Sequence, residues 1–268
     1  MRIAFSNLAW EPGADDDVLT FLASAGLTGL EIAPAKVFDD VGKTTEAQAA
    51  EYRKTVQDKG LSIVAFQAYL FGRPELRLFD DSTRQGFIDF TKRTIDLMVW
   101  CGGDRIVYGA PKSRDRLGRE FGECREIALR AFSELGAYAA NRDVAFCLEP
   151  NPPIYGCNFA SCASEAAKLV RQVDSPGFRL HLDTACMTLA GDDVARSIRD
   201  NADILAHFHA SEPQLGDFSA PEMDHTAAAG ALRESGYAGW VSIEMKPTEN
   251  IMTGIRQATG YVLDTYGD

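Results

Sequence analysis

The sequence predicts an α/β fold of the (β/α)8 barrel type, and three observations point to it. Short β-branched or apolar runs alternate with longer stretches of helical periodicity, and the alternation occurs eight times. Eight such units in 268 residues match a single closed barrel, for which about 250 residues is typical. An open doubly wound sheet would announce a glycine-rich phosphate turn after an early strand, and "FSNLAWEPG" is not one. No linker, low-complexity tract or change of composition divides the chain, so residues 1–268 read as one domain.

The strands follow in order. "RIAFSN" (2–7), "GLEIAP" (29–34), "SIVAFQA" (62–68) and "RIVYGAP" (105–111) form the first half. "VAFCLEP" (144–150), "FRLHLDTA" (178–185), "ILAHFHAS" (204–211) and "WVSIEMKP" (240–247) form the second. Helical patterns lie between them, over 82–102, 122–142, 161–173 and 220–236. Several end on Gly or Asn just before the next strand, as helix C-termini commonly do.

Side chains on a barrel strand alternate between the interior and the helix layer, so phase predicts which residues share the interior. Val144, Phe146 and Leu148 suit the helix side, which turns Cys147 and Glu149 inward. The same reasoning turns Arg179, His181 and Asp183 inward on the sixth strand, His207 and His209 on the seventh, and Ser242 and Glu244 on the eighth. Four consecutive strands therefore end on Glu149, Asp183, His209 and Glu244 at the C-terminal rim, where barrel active sites are assembled. Three converging carboxylates would repel one another and shift upward in pKa, a cost that a divalent cation removes. Three oxygen ligands and one imidazole suit Mn2+ or Mg2+ best, with Co2+ and Zn2+ also within the ligand chemistry.

Composition excludes several classes of partner. The formal charge is −12, with acidic residues spread along the chain, a surface that repels phosphodiester backbones. No uninterrupted apolar stretch approaches membrane-spanning length, and "MRIAFSNLAW" enters a strand pattern directly, so the expectation is a cytoplasmic protein with no membrane partner. The six cysteines (101, 124, 147, 157, 162 and 186) show no CxxC pair and read as reduced thiols. No P-loop or nucleophile elbow is present.

At the residues of the metal layer the chain resembles the xylose-isomerase-like TIM-barrel superfamily, which includes sugar and sugar-phosphate isomerases and ketose 3-epimerases. The similarity runs through "CLEPNPP", "HLDTACM", "AHFHASEP" and "GYAGWVSIEMKP", and through "IAFSNLAW", "EIAPAKVF", "FQAYLFGRPELRLF" and "GAPKSRD" in the first half. The resemblance implies that Glu149, Asp183, His209 and Glu244 hold the metal and that Glu149 and Glu244 exchange protons with the substrate. It implies an isomerase or epimerase acting on a sugar, sugar phosphate or related polyol ketone through an enediolate. The chain departs from the ketose epimerases at three positions: Cys186 replaces a substrate-binding His, Tyr155 a Glu and Leu215 an Arg. These departures keep open a lyase of the same fold, such as an inosose-type dehydratase or a C-glycoside cleaving enzyme. An endonuclease IV-like activity is disfavoured, because three zinc ions need more histidines than the four present.

Candidate substrate-binding residues are Trp10, Lys36, Gln67, Lys112, His181 and Glu212, all at strand ends or in rim loops. His181 and His207 lie one inward step deeper than the ligands, which suggests that they orient Asp183 and His209. His225 is assigned no chemistry. The expected partner is a small carbohydrate-like molecule, and self-assembly into a homo-oligomer is compatible with this reading.

Overall fold

In the computed structural model, which describes residues 1–267, eight parallel strands close into a barrel with β8 pairing back to β1. The strands are β1 Arg2–Ser6, β2 Gly29–Ile32, β3 Ser62–Phe66, β4 Arg105–Tyr108, β5 Ala145–Leu148, β6 Phe178–Asp183, β7 Leu205–Ser211 and β8 Trp240–Glu244. Around them run α1 Asp15–Ser24, α2 Glu46–Asp58, α3 Arg84–Cys101, α4 Phe121–Ala140, α5 Ala163–Val173, α6 Thr184–Ala190, α7 Val194–Asp200, α8 His225–Glu234 and α9 Ile251–Tyr266. The α/β TIM-barrel fold read from the alternating pattern is therefore the fold observed.

The core sits between strands and helices. On α4 the buried residues Cys124, Ile127, Ala128, Ala131, Phe132, Leu135 and Ala139 recur at spacings of three and four, which is one face of a helix. That face meets the outward residues of β5 and β6, with the Phe132 and Phe178 rings stacked at 4.7 Å and Phe146 beside them. Burying each such ring contributes about 1.5–3 kcal/mol. On α3 the apolar face ends at Cys101, where Gly102 takes a left-handed φ of 81° and stops the helix.

The observed strands are shorter than expected, mostly by one to three residues at the C-terminal end, and two boundaries near the site have a specific cause. The sixth strand ends at Asp183, not at residue 185, because the Asp183 side chain accepts from Cys186 N at 2.6 Å and starts α6. Cys186 is thus helical. Likewise the pattern over 220–236 becomes helical only at His225, where Asp224 accepts from Ala227 N at 2.8 Å.

The N-terminal end of the barrel is filled by Trp240. A Cβ on Gly29 would lie 2.6 Å from the Trp240 ring, so no larger residue fits there. The Arg2 guanidinium covers the same ring at 4.4 Å. Among the described residues no helix is long and apolar enough to cross a membrane, and all six cysteines are free thiols.

Candidate active site

The four predicted ligands come together at the C-terminal rim. Asp183 and His209 are register partners on β6 and β7, and Ser211 pairs with Glu244 on β8. Ligand atoms of Glu149, Asp183 and His209 all lie within 4.8 Å of one another. His209 Nδ1 is 3.2 Å from Glu244 Oε2 and 4.0 Å from Asp183 Oδ2.

Each side chain is held by a different local device. Asp183 caps α6 with one oxygen and accepts from Ser211 Oγ at 2.5 Å with the other. Glu149 follows β5 directly and fits only because residue 109 is glycine, since a Cβ there would lie 1.6 Å from Glu149 Oε2. Asn151 Nδ2 donates to the same oxygen at 3.1 Å. Arg114, fully buried, fixes this corner by donating to Asn151 Oδ1 at 2.6 Å and to the Glu149 carbonyl at 2.8 Å.

His209 is oriented from across the barrel by Glu31 on β2. Its Nε2 lies 3.0 Å from Glu31 Oε2 and 3.1 Å from Oε1, and His207 Nε2 lies 3.3 Å from Oε2. Glu31 is fully buried. With Nε2 engaged there, Nδ1 is the nitrogen that faces the carboxylates. This corrects the expected roles of the deeper histidines. His207 bonds to Glu31 instead of bracing His209, and His181 makes no hydrogen bond to Asp183: its Nε2 stands 3.7 Å from Glu149 Oε1 and both ring nitrogens are unpartnered. Buried as it is, His181 lies beneath the site and not among groups that would meet substrate.

The electrostatics follow from burial. Burial, reinforced by Asp183 and Glu244, pushes the Glu149 carboxyl up to about 8. Burial also raises Glu244, against the pull of His209. For His209, burial opposes the charged form, but Glu31 and Glu244 outweigh it and hold the imidazole well above its ordinary range. For Glu31, burial is overcome by His209 and His207, which hold the carboxyl well below the usual range. Burial lowers both His181 and His207, so these two are neutral.

The residues fit a divalent cation. His209 Nδ1 is buried without a hydrogen-bond partner, although Glu244 Oε2 is near, and three carboxylates surround it. An imidazole nitrogen aimed at clustered carboxylate oxygens is a ligand set for a hard or borderline metal ion.

Four of the expected substrate-binding residues are engaged by protein partners. The Trp10 indole donates to Asp15 Oδ1 at 2.6 Å and its ring is buried in the core. Lys36 Nζ donates to the Trp10 carbonyl at 2.5 Å. Gln67, buried, donates to Ser6 Oγ. Glu212 accepts from Glu222 N at 2.9 Å and lies 2.8 Å from His225 Nε2, so it anchors the loop before α8. In each case a protein partner takes the polar group that substrate was expected to meet. Lys112 alone of the six is an exposed side chain, and it lines a rim cavity described below.

At the three positions of departure, the structure shows what replaces the epimerase residues. The Tyr155 hydroxyl accepts from Gln214 N at 2.9 Å, tying the loop after β5 to the loop after β7. That second loop places Gln214 and Leu215 at φ 58° and 56°, a left-handed pair without glycine. Cys186 is buried against Asn151, and burial together with Asp183 and Glu149 raises its thiol well above the ordinary range, so it stays protonated.

Comparison with known proteins matches this architecture. A family model described as xylose isomerase-like TIM barrel matches residues 19–262. The L-ribulose 3-epimerase of Methylomonas sp. (strain DH-1) is 24% identical over 170 residues, which is 60% of this chain and 56% of that protein. The L-ribulose 3-epimerase of Mesorhizobium japonicum (strain LMG 29417 / CECT 9101 / MAFF 303099) is 22% identical across 100% of this chain and 89% of its own. A solved D-psicose 3-epimerase, determined in the presence of D-fructose, superposes with a TM-score of 0.81 at 17% identity, covering 100% of both chains.

Proposed function

The chain belongs to the xylose isomerase-like TIM-barrel family, and from that premise we propose that it is a metal-dependent isomerase or epimerase of a sugar, sugar phosphate or related polyol ketone. The observation that carries this reading is the convergence of Glu149, Asp183 and His209 with Glu244 at the rim. The substrates named for the related proteins, L-ribulose and D-psicose, support a small keto-sugar as the molecule acted upon.

Glu149, Asp183, His209 and Glu244 would hold one Mn2+ or Mg2+, the ions best suited to three carboxylates and an imidazole. When bound, the cation supplies a Lewis acid that acidifies the C–H beside a carbonyl. Proton movement belongs to the protein. Glu149 follows β5 and Glu244 ends β8, three strands apart around the barrel, so they reach a ligand above His209 from different sides. One carboxylate removes the proton, leaving an enediolate, and the other returns a proton to the opposite face. Burial raises both carboxyls, Glu149 to about 8 and Glu244 above the ordinary carboxylate range.

Glu244→Gln should abolish deuterium exchange from solvent into L-ribulose or D-psicose in the presence of Mn2+, with circular dichroism unchanged. Exchange retained by that variant would overturn the reading. The residues at 155, 186 and 215 favour one alternative, a lyase that uses the same carbanion and ends in elimination. A product lighter by one water, found by mass spectrometry, would identify it.

A further inference from the structure

We propose that the substrate carries an apolar substituent, aryl or alkyl, seated in a cavity that adjoins Glu149 through Gly109, so that the enzyme prefers a substituted keto-sugar to a free ketose. This inference rests on the function proposed above and names the substrate class of the same site.

A cavity of about 420 Å3 opens at the rim beside β3 and β4. Its walls include Tyr69, Leu70, Phe71, Pro74, Val107 and Pro111. The polar atoms near it are turned away. The Tyr69 hydroxyl bonds to Thr91 at 3.1 Å, Ser113 Oγ bonds to the Tyr108 hydroxyl at 2.8 Å, and Arg73 pairs with Asp40 at 3.2 Å. Lys112 stands exposed on the cavity wall and reaches solvent. Apart from Lys112 and the Tyr155 hydroxyl, a wall of this kind gives sugar hydroxyls few partners to replace their water, and such desolvation is unfavourable. It suits an aromatic ring or alkyl chain.

The cavity adjoins the proposed reacting groups through one shared residue. Gly109 lines it and backs directly onto Glu149 Oε2, where a Cβ would lie at 1.6 Å. Tyr155 also lines it. Two large apolar side chains stand open to solvent here: Phe71, on the wall, is 79% exposed, and Ile154, next to Tyr155, is 71% exposed. A ligand substituent entering the cavity covers Phe71 and gives these side chains a partner.

The test compares phenyl and methyl β-D-glucopyranoside, which share one polar head, by calorimetry on the Mn2+-loaded protein. The phenyl compound should bind about 10- to 100-fold more tightly, the ratio expected for burial of one ring. Ala110→Trp, which fills the cavity, should erase that ratio, and Phe71→Ser, at an exposed position, should reduce it without affecting the fold. Equal affinity for the two glycosides, no phenyl binding at millimolar concentration, or a ratio unchanged in Ala110→Trp would overturn the inference. A dimer that dissociates on Phe71→Ser, with no phenyl preference, would assign the patch to a second copy of the chain and overturn it too. Failure here is separable from failure of the proposed function, which is read from Mn2+ binding and solvent exchange with ketoses.

Discussion

The two halves of the barrel rim end in opposite arrangements. After β1 to β3, polar side chains are engaged by the protein itself: Asn7 Oδ1 accepts from Ala33 N at 2.7 Å, Gln67 bonds to Ser6, and Lys36 bonds to the Trp10 carbonyl. After β5 to β8, the titratable side chains converge on one another and leave His209 Nδ1 without a hydrogen-bond partner. A satisfied polar group fixes a loop, whereas a cluster of mutually repelling, incompletely bonded groups invites a ligand. Under the proposed function, the second half would carry the chemistry and the first half would support it.

The largest expected effect breaks that contrast at its centre. Asp183→Ala or His209→Ala should lower solvent exchange by several orders of magnitude and abolish Mn2+ binding measured by calorimetry. Asp183→Ala also removes the α6 cap, so it should lower stability by about 1 kcal/mol, visible in a urea melt. Unimpaired metal binding in both variants would dissolve the distinction between the halves.

Glu31 sharpens the comparison because it lies in the first half and serves the second. Glu31→Gln keeps a hydrogen-bond acceptor for His209 but removes the charge. Mn2+ affinity should fall by about 10- to 100-fold, the usual effect of losing a carboxylate that orients a metal-binding histidine. Glu31→Ala should fall further, and partial recovery in the Gln variant separates positioning from simple loss of packing.

A third measurement uses pH on chelated protein. Between pH 7 and 9 the raised carboxyl of Glu149, about 8 when folded, and the raised His209 both bind more protons in the folded state than in the unfolded one. Stability therefore falls as pH rises through this window, by about 1–2 kcal/mol. His181 and His207, which are lowered, act below this range and do not reverse it. Mn2+ should raise the melting temperature more at pH 9 than at pH 7. A chelated protein that becomes more stable across the same interval would contradict the charge arrangement.

The smallest effect is expected in the supporting wall. Gln67→Leu should cost about 1 kcal/mol in a denaturant melt through its lost bond to Ser6, and leave Mn2+ affinity unchanged. A large loss of affinity would transfer Gln67 to the site.

How much of this was legible in the sequence follows from what is local. Strand phase repeats every two residues, so the inward direction of Glu149, Asp183, His209 and Glu244 could be read from their neighbours alone. The barrel followed from eight alternations, a property of the whole chain. Glu31 was missed although it lies inward on a recognised strand, because its partners are 176 and 178 residues away. Lys36 and Gln67 were overestimated for the same reason: a lysine in a rim loop looks free until the Trp10 carbonyl, 26 residues earlier, is placed beside it. The end of β6 was legible in principle. An Asp before Thr184 is a helix-cap signal, masked here by the apolar run that follows.

Trp240, seated against Gly29 with Arg2 over its ring, packs at the N-terminal end of the barrel, while Glu149 and Glu244 stand at its C-terminal mouth. Water, substrate and product share that entrance. A ligand occupying that mouth shields a hydrogen captured by Glu149 or Glu244 from bulk solvent. Isotope wash-in is then a race between exchange and product departure, and the fraction of label recovered in unreacted substrate reports how tightly the mouth is stoppered during each turnover.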